Sequence, residues 1–121
     1  MKSALVIDDN RQLADGLCQM LDLFDIHAEA AYGSKTALLS LSSTTPDIIF
    51  LDINMPGLSG FEVLSFLQRE PRLVGVPVIV VTSDDQQETR DRALAQGAFR
   101  VVIKPVTIDI LESLISQFDI E

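Results

Sequence analysis

The sequence predicts a single doubly wound α/β domain, a parallel sheet covered by helices on both faces. Three observations carry that expectation. Five short β-forming runs alternate with stretches of helical periodicity, and no linker, repeat or low-complexity tract interrupts the series. Four of the five runs also stop at an aspartate, a threonine or a lysine. With right-handed crossovers, few topologies remain for such a chain.

The first strand is Ala4–Ile7, an apolar run closed by Asp8 and Asp9. Leu13, Leu17, Met20, Leu21 and Phe24 then fall at helical spacing and predict the first helix. Ala28–Ala31 is a weak second strand, with His27 beside it as an ordinary strand residue, and Ser34 is expected to cap the second helix. Ile48–Leu51 is the third strand; it runs into Asp52 and the turn residues of "NMPG". Ser59 and Glu62 spell a capping box for the third helix. Val78–Val81, the fourth strand, is followed by Thr82. Asp85 with Glu88 spells a second capping box, for a fourth helix that ends near Gly97. That helix is the least amphipathic of the five, with Leu94 its one large apolar side chain. Arg100–Ile103 is the fifth strand; Lys104-Pro105 follows, and Leu111, Leu114, Ile115 and Phe118 stripe the last helix.

At 121 residues and 47% hydrophobic, residues 1–121 read as one domain with one real core. The formal net charge of −9 argues against nucleic-acid binding, which needs a basic face to neutralise phosphates. The apolar run "ALVI" stops at Asp8, too short for a secretory signal, and no run approaches a membrane span. The single cysteine, Cys18, forms no internal disulfide and sits in a helical pattern as a small packed hydrophobe. A cytoplasmic location is expected.

Doubly wound sheets bind ligands at the carboxyl ends of their strands. There the fold would gather Asp8, Asp9, Asp52, Thr82 and Lys104. Each alone has an ordinary reading: a helix cap, a turn residue, a lysine reaching for solvent. Jointly, at matching strand ends, they point to a site. Aspartate is a poor strand residue, and two carboxylates about 4 Å apart repel by roughly 4 kcal/mol at an effective dielectric near 20. A hard divalent cation such as Mg2+ relieves that repulsion. Lys104, one of three lysines, is the other counter-charge.

The segments "VIDDN", "DIIFLDINMPGLSGFEVL", "PVIVVTSD" and "VVIKP" resemble the receiver domains of two-component response regulators over nearly the whole chain. The resemblance implies a flavodoxin-like sheet of order 2-1-3-4-5 with five helices. It implies that Asp52 accepts a phosphoryl group from a histidine kinase or phosphotransfer protein. Asp9 would ligate Mg2+ directly, Asp8 partly through water, with Asp52 and the backbone carbonyl of Asn54 completing the protein's share. Thr82 and Lys104 would hold phosphoryl oxygens, and the bond before Pro105 would be cis. Asn54 and Asp84, polar and two residues past Asp52 and Thr82, would orient an attacking water and shorten the phosphoform's life.

The expected output surface is helix four, strand five and helix five, facing an output domain, a partner protein or a second copy in a phosphorylation-dependent dimer. No enzymatic activity beyond the domain's own phosphorylation and dephosphorylation is expected. One departure stands out: Val101 occupies the position where many receivers carry a switching aromatic residue, and Phe99 is the aromatic that would share its face. Two catalytic or cofactor-binding alternatives fit worse. A haloacid-dehalogenase-type phosphohydrolase wants Asp-x-Asp where this chain has "DIN", and Asp8-Asp9 would repel a flavin phosphate. A pseudo-receiver that only binds partners would not need the complete residue set.

Overall fold

The computed structural model describes residues 2–57 and 59–118; Met1, Leu58 and residues 119–121, which belong to the domain predicted from sequence, lie outside the described residues. Strands and helices alternate strictly: β1 (Ser3–Ile7), α1 (Arg11–Asp22), β2 (His27–Ala31), α2 (Ser34–Leu41), β3 (Ile48–Asp52), α3 (Gly60–Arg69), β4 (Val78–Thr82), α4 (Gln87–Ala95), β5 (Arg100–Ile103) and α5 (Ile108–Ser116). The strands pair in parallel in the order β2-β1-β3-β4-β5, the expected flavodoxin-like arrangement.

Every residue of β3 and β4 is buried, and both strands are unbroken apolar runs apart from Asp52 and Thr82 at their ends. That is the signature of a sheet covered on both faces, because the period-2 alternation then has no wet side to mark. Side chains sort by parity. Ile49 and Leu51 pack with Ala37 and Leu41 of α2, Val63, Leu64 and Leu67 of α3, and Ala93 of α4. Ile48 and Phe50 pack on the other side with Ala14, Leu17 and Leu21 of α1 and with Leu111 and Leu114 of α5.

Several local expectations change. Asp52 and Thr82 are the last residues of β3 and β4, held by the ladder, where the pattern had placed them just after it. Gly33, not Ser34, is the N-cap of α2; Ser34 is buried in its first turn. The Asp85–Glu88 box does not form either: the N-cap of α4 is Gln86, without a side-chain cap bond. Asp84 serves that end instead, as described below. Leu13, at the head of the predicted α1 stripe, is 46% exposed. Phe24 and Phe118 fall beyond the ends of α1 and α5 yet still pack against the core.

Other signals hold. Glu62 Oε1 accepts from Ser59 N–H at 3.3 Å, the reciprocal half of the α3 capping box. Gly97, at φ +104°, closes α4: its N–H donates to Leu94 O at 3.1 Å and that of Ala98 to Ala93 O at 3.0 Å, a Schellman pair.

Candidate functional site

The site is assembled at the carboxyl edge of β1, β3, β4 and β5. Beyond β1, Asp8 Oδ1 accepts from Asn10 N–H at 2.9 Å, while Asn10 Oδ1 caps α1 through Leu13 N–H at 3.1 Å. The helix cap thus falls on Asn10, which leaves Asp8 and Asp9 at the strand end. Asp8 is buried and Asp9 exposed. Asp52 is 5% exposed, and its Oδ1 accepts from Asn54 N–H at 3.2 Å. One carboxylate oxygen from each of Asp8, Asp9 and Asp52 lies within 4.8 Å of the others.

Lys104 follows β5 and is fixed by its backbone N–H, which donates to Thr82 O at 2.8 Å. Its ammonium lies 3.0 Å from Asp8 Oδ2 and 3.7 Å from Asp52 Oδ1, so the closer pair is with Asp8. The Lys104–Pro105 peptide bond is cis. Thr82 is fully buried; its Oγ1 accepts from Asn54 Nδ2 at 3.3 Å and from Asp84 N–H at 3.1 Å.

One ammonium among three carboxylates leaves an excess of negative charge. The consequence falls on Asp52, whose pKa is pushed up to about 6, first by burial and then by Asp8, with a smaller push from Asp9. Lys104 and the Asn54 N–H pull the other way. The donor set is all oxygen, two of the three carboxylates are buried, and the charge excess is unrelieved by protein groups. These features fit a hard divalent cation of the Mg2+ type and offer nothing to a soft metal.

Asp84 is not aimed at this cluster. Its Oδ1 accepts from Gln86 N–H at 3.0 Å and its Oδ2 from Thr89 Oγ1 at 2.6 Å, which hold its pKa below the usual carboxylate value. Val101 is buried against the α3 and α4 side of the sheet. Phe99 is 40% exposed; its ring lies 4.6 Å from that of Phe118, and the Arg100 guanidinium sits 4.7 Å above it.

Gly60 is a site-building residue that sequence reasoning missed. A Cβ on it would stand 2.3 Å from Asp52 O and 2.5 Å from Ile53 Cα, backbone atoms that cannot swing away. Its N–H donates to Ile53 O at 2.9 Å. The start of α3 is thus pressed onto the backbone of Asp52. The only sequence signal was a glycine just inside the capping box. Leu13 borders a cavity of about 190 Å3, lined also by Leu17, Met20, Phe50 and Val106, that opens beside Asp8 and Asp52.

Residues 4–116 match the family model of the response regulator receiver domain. Protein PilH of Pseudomonas aeruginosa is 30% identical over 111 residues, covering 92% of this chain and 92% of PilH. A probable cyclic di-GMP phosphodiesterase of Vibrio cholerae is 33% identical over 90% of this chain and 24% of its own length. The phosphate regulon transcriptional regulatory protein PhoB of Escherichia coli is 31% identical over 84% of this chain and 44% of its own length. The chain thus spans less than half of these last two relatives. Among solved structures, the signal receiver domain of a DNA-binding response regulator from Colwellia psychrerythraea superposes with a TM-score of 0.90 at 31% identity, covering 97% of both chains. Chemotaxis protein CheY4 of Vibrio cholerae gives 0.90 at 23% identity, covering 97% of this chain and 98% of its own, a likeness of fold.

Proposed function

Because this chain belongs to the response regulator receiver family of two-component systems, we propose that Asp52 is its phosphoacceptor, taking a phosphoryl group from a phosphohistidine on a sensor kinase or phosphotransfer protein. The observation that carries this reading is the convergence of Asp8, Asp9 and Asp52 around one point with Lys104 3.7 Å from the Asp52 carboxylate.

An Asp52 oxygen forms the new O–P bond as the P–N bond to histidine breaks; the imidazole nitrogen leaves with the electron pair and is reprotonated from solvent. Such transfer depends on positioning and on neutralising charge more than on covalent help. The end of β3, pinned by Gly60, fixes the nucleophile. Lys104 and the Thr82 hydroxyl hold phosphoryl oxygens. Asp8, Asp9, Asp52 and the Asn54 carbonyl would hold Mg2+, which supplies neutralisation of the phosphoryl oxygens when bound. Asn54, exposed and bonded to Thr82, is the side chain placed to orient the water of dephosphorylation, since both oxygens of Asp84 are engaged with α4. The domain turns over nothing beyond its own phosphoryl group.

The switched surface is α4, β5 and α5, where Leu94, Phe99, Ile108 and Ile110 are exposed and offer apolar area to an output domain, a partner or a second copy. At −9 the domain does not contact nucleic acid itself. Among the described residues no helix is long and apolar enough to cross a membrane. The reading places the domain in the cytoplasm.

The test is intact-mass spectrometry after incubation with phosphoramidate and Mg2+. Wild type gains one phosphoryl group, while Asp52→Asn and chelator-treated wild type gain none. A phosphoryl group on Asp52→Asn would move the acceptor elsewhere; none on wild type would favour a pseudo-receiver.

A further inference from the structure

We propose that Thr89 is a positioning residue that ties the first turn of α4 to the acceptor site, so that the state of Asp52 is read out as a change in α4. The proposal rests on Asp52 being the phosphoacceptor. Consecutive hydrogen bonds join the two. Asn54 N–H donates to Asp52 Oδ1 at 3.2 Å, and Asn54 Nδ2 donates to Thr82 Oγ1 at 3.3 Å. The same threonine oxygen accepts from Asp84 N–H at 3.1 Å. Asp84 then grips α4 twice, through Gln86 N–H at 3.0 Å and Thr89 Oγ1 at 2.6 Å.

Each link constrains the next. Thr82 is fully buried, so water cannot readily replace a partner its hydroxyl loses. The Thr89 bond is short and made to a carboxylate, the stronger class of hydrogen bond. Gln86 supplies no side-chain cap and α4 buries only Ala93, so the start of the helix is held mainly by Asp84.

A phosphoryl group on Asp52 adds about −1.5 to −2 charge and three acceptor oxygens. When the Thr82 hydroxyl turns to donate to one of them, the geometry of its oxygen toward Asp84 N–H changes, and the cap of α4 moves with Asp84. This route needs no swinging side chain on β5, and Val101 provides none.

The experiment is hydrogen exchange across residues 87–95 of the whole chain, with and without Mg2+ and beryllofluoride, a phosphoryl analogue that needs no kinase. In wild type, protection of α4 changes about tenfold, an ordinary strength for coupled sites. Thr89→Val retains Mg2+-dependent beryllofluoride binding to within about threefold, but its α4 response falls to about twofold or less. Thr89→Ser, which keeps the hydroxyl, recovers the response. A Thr89→Val chain that responds like wild type, or a Thr89→Ser chain that responds like Thr89→Val, overturns the proposal. Wild type that binds beryllofluoride with no change at α4 overturns it as well, leaving the acceptor reading intact. Wild type that binds no beryllofluoride overturns the acceptor reading and this proposal together.

Discussion

A carboxyl held near pH 6 in the fold against 3.8 for the free side chain binds its proton more tightly in the folded chain than in the unfolded one. Well below pH 4 Asp52 is protonated in both states and contributes nothing. As pH rises from about 4 to 6 the unfolded chain ionises first, so stability falls; above that the fold carries the whole cost, on the order of 2–3 kcal/mol. In metal-free buffer, Asp52→Asn should raise the unfolding free energy in urea by about 1–3 kcal/mol near pH 7.5 and by far less near pH 3.5. An equal gain at both pH values would place its origin in packing. Gly60→Ala should act in the opposite direction. Its Cβ meets the Asp52–Ile53 backbone, so a loss of about 1–3 kcal/mol and slower phosphorylation by phosphoramidate are expected, checked by urea melts and intact mass. Asp8, Asp9, Asp52, Thr82 and Lys104 were legible because each is a polar residue ending an apolar run. Gly60 and Thr89 were not, because their roles depend on what a Cβ or a hydroxyl meets across the fold, and a sequence carries no such distance.

At the level of elements, similar cap patterns led to different structures. Ser59 and Glu62 form their box, whereas Asp85 and Glu88 do not, because Asp84 reaches the same helix start with both carboxylate oxygens. Local propensity marked the helix but left the choice among adjacent acids to the fold. The weak amphipathicity of α4 was legible and proved physical: Ala93 is its buried residue, while Leu94 is 43% exposed. Side-on anchorage comes instead from Arg92, whose guanidinium lies 3.8 Å above the Phe61 ring of α3. Arg92→Ala should therefore cost about 0.5–1 kcal/mol. It should also speed exchange across residues 87–95 selectively. Native-state hydrogen exchange checks this; unchanged α4 rates would mean that the stacked pair contributes nothing to holding the helix.

Over the whole molecule, the charge of −9 predicts that salt stabilises the fold by screening self-repulsion. Mg2+ at matched ionic strength should stabilise it further, and Asp9→Asn should remove that surplus while leaving the salt effect. Thermal melts in NaCl and MgCl2 separate the two, and equal stabilisation by both salts would deny a specific cation site. The alternation of elements made the layered fold readable, but strand order came only through family resemblance, since periodicity is local and neighbours such as β1 and β3 are far apart in sequence. The sheet also parts the interior into two apolar layers, Val63 among the side chains on one side and Ile26 on the other. The sheet lies between those layers, so their mutational effects should be additive. Val63→Ala and Ile26→Val, combined, should sum to within about 0.5 kcal/mol of the separate losses. Each layer is then free to drift in sequence without a compensating change in the other, and only the residues at the strand ends answer to both.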